Sequence, residues 1–402
     1  MDSEEKEVIQ NTEMPTKEKD NLGWNQSVRK LHNIAICVLF VGIMAGISII
    51  SIVKKDTEFS ENENRYLTKR PDFSLETLLN GEFIANYEKY VTDQFFMRDE
   101  WIGLKVITER VLWKKDVNGV YFGKDNYLIQ QHKETDVDAK QAETNLARLQ
   151  EFVKKYEDSK NIQVMIVPTA SEILTDKLPA HANGYDQQKL LDRTKELVGL
   201  DHFIDVKNPL LNHSEEYIFY RTDHHWTSLG AYYAYLAWAK QVGITAYQKE
   251  DFEVEEVTKE FYGTLHSKVN IKTVPDSISL YQWKAKPQYK VTLNRQKEMS
   301  GLFDYDMLKK KDKYSIFLGG NNAYVSIKTG IKGRKLLIIK DSFAHTFAPF
   351  VANHYEETIL IDYRYYNDST EALIQSEGIT DILVLYNTIN LVQDTNTLKF
   401  LK

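Results

Sequence analysis

Cysteine is almost missing from this 402-residue chain, and the single one, Cys37, lies inside an apolar stretch. One thiol can build neither a disulfide framework nor a cysteine-based zinc site within the chain. An extracellular protein made that way points to a bacterial source. A basic excess is missing too: 51 Lys and Arg stand against 58 Asp and Glu, for a formal charge of −7. That balance argues against a general nucleic-acid binder, which needs a basic face. No internal repeat is visible. What is present is an ordinary globular composition, 42% hydrophobic and 27% charged, over a length that allows two or three domains. The 24 tyrosines supply large, polar-tipped side chains for a binding cleft.

The run Ile34 to Val53 (IAICVLFVGIMAGISIISIV) carries no charge. About 20 such residues cross the ~30 Å hydrocarbon core as a helix. A buried core helix would be shorter or amphipathic, and a cleavable signal has a shorter apolar core, so the run predicts an uncleaved anchor at 34–53. Arg29 and Lys30 on one side nearly balance Lys54 and Lys55 on the other. A short amino side and a large carboxyl side then place the large domain outside the cell membrane. Residues 1–33 are polar and read as a disordered cytoplasmic tail. Residues 54–115 read as a juxtamembrane linker and helical region, with Leu75, Leu78, Leu79, Phe83, Ile84 and Tyr87, then Trp101, Leu104, Ile107 and Val111, at helical spacing.

From about 116 the pattern becomes α/β. Val117 to Gly123 and Tyr127 to Ile129 read as two short strands. A helix over 139–156 leads into the apolar strand 162–167, which suggests a sheet buried on both faces. Residues 203–206 and 217–220 are candidate strands, and 228–242 a helix. Strands 335–340, 358–362 and 381–386 continue the rhythm. The polar, alternating stretch of about 250–332 reads as an insertion over one edge.

Three sets of residues could carry chemistry. Asp223-His224-His225-Trp226 sits between a strand-like run and a helix, the edge of an α/β sheet where ligands bind. An Asp two residues before a His can orient its ring, which makes His225 a candidate base, with Trp226 bracing the imidazole. An ordinary helix start, with Thr222 or Asp223 as cap, explains the same residues. Ser342 follows an apolar strand at a junction whose backbone amides can hold an oxyanion; a helix cap is the plain alternative. A metal reading draws on Asp223, His224 and His225 with His266, His345 or His354, but adjacent side chains diverge, and no metal or other cofactor is expected. Arg364 and Asn387 follow two further strands; Arg364 could bind an oxyanion or an acidic sugar, and Asn387 could donate an amide hydrogen bond to the same oxyanion. A salt bridge from Arg364 to Asp362 and a turn role for Asn387 compete with that reading.

Asp223-His224-His225-Trp226 resembles the signature of the DHHW protein family, which looks related to the SGNH-hydrolase-like O-acetyltransferase domains of AlgX and AlgJ. Glu63-Asn64-Arg65-Tyr66-Leu67, Phe261-Tyr262-Gly263 and Lys340-Asp341-Ser342-Phe343 extend the likeness. The resemblance implies an SGNH-like, flavodoxin-like, mostly parallel sheet over 116–402, with Ser342 as nucleophile, His225 as base and Asp223 as orienting acid. Arg364 and Asn387 match oxyanion-side positions, and His224 takes the variable middle place. The implied activity is acyl transfer to, or ester cleavage from, a cell-surface or exported polysaccharide, beside a membrane-bound O-acyltransferase partner. A non-catalytic glycan-binding or assembly protein of the same system is the alternative.

Overall fold

The computed structural model describes residues 26–60, 62–63 and 65–401. It divides into two units: described residues up to Thr57 together with Thr68–Phe96, and Glu58–Leu67 together with Met97–Lys402. In the first unit, Gln26–Val53 is one helix. Its stretch Val28–Val53 contains an 18-residue window of mean hydropathy 2.8 and is long and apolar enough to cross a membrane. The helix begins well before Ile34, so residues 26–33 are helical rather than part of a disordered tail; residues 1–25 of that expected tail lie outside the described residues. The helix predicted across 75–87 is divided at Asn80-Gly81 into Leu75–Leu79 and Glu82–Asp93. Leu75, Leu79 and Ile84 remain exposed on it.

In the second unit, Arg98–Val111 is helical, close to the predicted 99–114. The expected strand 117–123 is instead two strands, Asp116–Val117 and Val120–Phe122, with Leu128–Gln130 completing an antiparallel three-stranded sheet. Asn118 and Gly119 both take positive φ, 52° and 73°. That is the backbone of a two-residue hairpin turn whose twist suits the flanking strands, and Asn-Gly is the pair that adopts it most cheaply.

The central sheet has seven strands: β1 (Asn161–Val167), β2 (Lys290–Leu293), β3 (Lys297–Met299), β4 (Tyr324–Lys328), β5 (Lys335–Lys340), β6 (Glu357–Ile361) and β7 (Asp381–Asn387). Their order is β3-β2-β4-β6-β5-β7-β1. The run β6-β5-β7-β1 is parallel, whereas β3-β2-β4-β6 pairs antiparallel throughout. The sheet is therefore half parallel, not mostly so, and residues 290–328 extend it instead of lying over its edge. Within 250–332, Phe252–Phe261 and Asp276–Trp283 form a hairpin separate from that sheet. The fold is mixed α/β.

Side-chain alternation explains why β5 reads as an unbroken apolar run. Leu336 and Ile338 pack on one face with Tyr232, Trp238, Phe347 and Phe350. Leu337 and Ile339 pack on the other with Leu149, Phe152, Leu190 and Leu373. Each such side chain contributes roughly 1.5–3 kcal/mol by leaving water. Both faces are covered, as a parallel strand requires. The helix Ala139–Tyr156 begins where predicted because Asp138 accepts hydrogen bonds from Lys140 N and Gln141 N. Residues 203–206 and 217–220 make only single bridges, Phe203 to Val164 and Phe219 to Trp226; their apolar side chains are buried from loops.

Candidate active site

The Asp223–Trp226 segment precedes the helix Ser228–Gln241, whose cap is Thr227, its Oγ1 accepting from Gly230 N. Asp223 and Thr222 are thus not spent on capping. A buried carboxylate shapes the loop instead. Asp276 accepts Arg221 N and Thr222 N, both at 2.7 Å, Thr222 Oγ1 at 2.5 Å, and the Tyr217 hydroxyl. Four donors on one carboxylate leave the loop little freedom, which is what a side chain needed within about half an ångström of its partner requires.

The second loop starts where β5 ends. Asp341 N still bonds Leu385 O at 3.1 Å, and the Asp341 side chain accepts from Phe343 N, Asn387 N and Asn390 Nδ2 at 2.8–2.9 Å. Ser342 is held between these bonds and the helix Ala344–Val351. Its backbone amide has no acceptor among the described residues, so that N–H is free to donate, as an oxyanion requires.

The two loops meet. Ser342 Oγ lies 2.7 Å from His225 Nε2, and His225 Nδ1 lies 2.5 Å from Asp223 Oδ1. An ionised carboxylate only accepts, so Nδ1 carries the proton and Nε2 is left to accept from the serine hydroxyl. Asp223 Oδ2 accepts Thr264 N at 2.8 Å and Thr264 Oγ1 at 3.0 Å. Burial alone would raise the Asp223 pKa; the two neighbouring imidazoles and these hydrogen bonds outweigh it and hold the carboxyl well below its ordinary range. Gly263 makes the approach possible, since a Cβ there would stand 2.3 Å from the Asp223 side chain.

Tyr314 completes the setting. Its ring stacks on His225 at 3.9 Å and 8°, and its hydroxyl donates to Ser342 O at 3.0 Å. Neither Tyr314, Thr264 nor Asp276 stands out in the sequence as a site residue; only the Phe261-Tyr262-Gly263 match, which carried no role, pointed near Thr264. Trp226 braces the serine turn and not the imidazole: its Nε1 donates to Phe343 O at 3.0 Å.

The remaining candidates are placed differently. Arg364 donates to Asp362 through Nε at 2.9 Å and Nη2 at 2.6 Å, and to Asn321; it makes no hydrogen bond with Ser342 among the described residues. Asn387 caps the helix Thr388–Gln393, its Oδ1 accepting from Ile389 N and Asn390 N. Asp223, His224 and His225 bring ligand-type atoms within 4.8 Å of one another. Both Asp223 oxygens and both His225 nitrogens are already hydrogen-bonded, however, and the three further histidines stand elsewhere. His345 Nε2 accepts from Lys340 Nζ, His354 bonds Tyr235 and His266 packs on Tyr262. The donor set fits a proton relay better than a metal.

His224 lies beside the relay, its ring 3.8 Å from that of His225. A cavity of about 250 Å³ opens there, bounded by His224, Thr264, Phe343 and Asn387, with Gln130 and Thr169 on its far side. Its lining joins amides, hydroxyls, imidazoles and the Lys268 amine to the apolar Leu265, Phe343 and Ile389, a mixture that suits a hydroxyl-rich ligand.

Residues 139–361 match the sequence profile of the DHHW protein family. A DHHW family protein from Eubacterium siraeum DSM 15702 superposes with a TM-score of 0.60 at 26% identity, over 71% of this chain and 95% of that one. Bacillus cereus PatB1, solved with a sulfonyl adduct, superposes with a TM-score of 0.58 at 20% identity, over 69% of this chain and 96% of that one. The O-acetyltransferase domain of Pseudomonas putida AlgJ aligns at 14% identity over 69% of this chain and 93% of that one, with a TM-score of 0.42, too loose a likeness to argue from. No curated protein sequence matches the chain.

Proposed function

Since this chain belongs to the DHHW protein family, we propose that it is an SGNH-like O-acyltransferase or esterase acting on a cell-surface or exported polysaccharide through an acyl-serine intermediate. The observation that carries the reading is the continuous relay Asp223–His225–Ser342, with contacts of 2.5 and 2.7 Å. His225 Nε2 takes the Ser342 proton as Oγ attacks the acyl carbonyl. The donor's leaving group departs with that proton, and the Ser342 amide faces the transient oxyanion. A sugar hydroxyl or water then attacks the acyl-serine, gives its proton to His225, and releases Oγ, which His225 reprotonates.

The helix Val28–Val53 supports a membrane anchor, with the catalytic unit on the extracellular side and a membrane-bound O-acyltransferase as source of the acyl group. The test is direct. Phenylmethanesulfonyl fluoride should add one sulfonyl group at Ser342, seen by peptide mass spectrometry, and abolish cleavage of 4-nitrophenyl acetate. Ser342→Ala should take up no label and lose activity by on the order of 10³-fold or more. Full ester cleavage in Ser342→Ala removes the nucleophile. Glycan binding with no acyl-serine in the wild type favours a non-catalytic protein.

A further inference from the structure

His224 has a protonation state that its neighbours dictate. The Thr264 hydroxyl spends its one proton on Asp223 Oδ2, at 3.0 Å, because an ionised carboxylate can only accept. The same Oγ1 lies 2.8 Å from His224 Nδ1, and there it can only accept. The imidazole proton therefore sits on Nδ1. Burial, and then the adjacent His225, push the His224 pKa down to about 3, so the ring is neutral and Nε2 carries a bare lone pair. The side chain keeps 29% of its surface open, His224 lines the cavity, and Nε2 has no protein partner among the described residues.

We infer that His224 is the acceptor-binding residue of this site: its Nε2 takes a hydrogen bond from a hydroxyl of the incoming sugar and holds that sugar against the acyl-serine. The inference rests on the acyl-serine reading above and adds to it the residue that holds the acceptor. At that nitrogen a bare lone pair rewards a group with a proton to share and repels phosphate or carboxylate oxygens, while Lys268, which also lines the cavity, adds a donor for the sugar's hydroxyl oxygens. Gln130, Thr169, Ser171 and Asn390 also line the cavity and can both donate and accept, as a set of adjacent sugar hydroxyls requires. His224 binds; it does not take the proton. The attacking hydroxyl loses its proton to His225, the new C–O bond joins acyl group and sugar, the bond to Ser342 Oγ breaks, and His225 returns the proton to Oγ. A sugar held in this way outcompetes water, so His224 biases the site towards transfer over hydrolysis.

The test uses the full chain in detergent micelles, 4-nitrophenyl acetate as donor, and methyl glycosides of glucose, galactose and N-acetylglucosamine as acceptors. The readout is the ratio of acetylated glycoside to free acetate. His224→Ala should lower that ratio at least tenfold and raise the acceptor KM. His224→Gln, which restores an acceptor oxygen and guards against a folding defect in the alanine variant, should recover part of it. If His224 merely stiffened the loop, acylation would slow and both products would fall together with the ratio unmoved, and that result overturns the inference. So does hydrolysis alone with every glycoside in a wild-type enzyme that forms the acyl-serine. Absence of any acyl or sulfonyl adduct on Ser342 in the wild type is a different failure, because it removes the acyl-serine reading itself.

Discussion

Asp223 and Asp362 are both buried carboxylates with histidine chemistry close by, and they are put to opposite uses. Asp362 is met by two basic side chains, Arg364 at 2.6 Å and Lys340 at 3.2 Å. Lys340 also donates to His345 Nε2 at 2.8 Å, so that imidazole is the far end of the network, and its Nδ1 is buried without a hydrogen-bond partner. Asp223 bonds no permanent cation among the described residues; its partners are an imidazole, a hydroxyl and backbone amides. The imidazole on Asp223 keeps its second nitrogen for Ser342, whereas His345 spends its own on a lysine. A carboxylate next to a histidine is therefore not a signature by itself. The order of donors beyond it decides whether charge is stored or passed on.

Asp223→Asn should break the comparison hardest. An asparagine can donate as well as accept and cannot hold the imidazolium that forms as Ser342 attacks, so ester cleavage should fall by roughly 10²–10⁴-fold while the melting temperature stays close to wild type. A kcat within tenfold of wild type would mean that the relay does not run through Asp223. Lys340→Met strikes the other network. Breaking a buried ion pair from one side costs about 3–5 kcal/mol, so thermal denaturation should move down by several degrees while turnover per folded molecule changes only a few-fold. An equal loss of turnover and no loss of stability would make the lysine part of the chemistry.

Acid should separate the buried histidines from these two carboxylates. Burial lowers His132, His266 and His354 from their ordinary value to about 4. A depressed pKa gives stability that is complete above about pH 6.5, the unfolded value, and lost as pH falls towards 4, because the unfolded chain then binds more protons. Asp223 and Asp362 are both held below their ordinary range, Asp362 by Arg364 and Lys340 against its burial. Their contribution therefore persists until below about pH 3.9. The melting temperature should decline between about pH 6.5 and 4; a flat profile across that window would contradict the neutral buried histidines. The smallest effect belongs to Arg364→Gln. With the guanidinium committed to Asp362, acyl transfer should change by less than about tenfold, and a hundredfold loss would instead put Arg364 on the oxyanion.

Much of the sheet was legible because periodicity is local. The helix over 139–156 and strands β1, β5, β6 and β7 fall within a residue or two of where apolar spacing and flanking polar residues put them. The antiparallel half was not, since β2, β3 and β4 are short and partly polar, and their place beside β6 depends on pairings with strands distant in sequence. The site divides in the same way. Asp223, His225 and Ser342 were legible as residue types at loop positions, and a helix cap explained each of them equally well. Thr227 takes the cap that Asp223 or Thr222 might have filled. Tyr314 left no trace in the sequence, because a tyrosine in a polar stretch looks the same whether it faces water or an imidazole.

The sequence by itself determined an apolar helix long enough for a membrane, an α/β core with both faces covered, and the membership of the Asp-X-His segment in a family signature. These follow from composition and short-range spacing, which no tertiary contact can alter. Only the tertiary structure decided that His225 Nε2 meets Ser342 Oγ, that Arg364 turns to Asp362, and that His224 lines the cavity with its Nδ1 held by Thr264. Hydrogen-bond direction is set by which atoms converge within about 3 Å, and that convergence is a property of the folded chain.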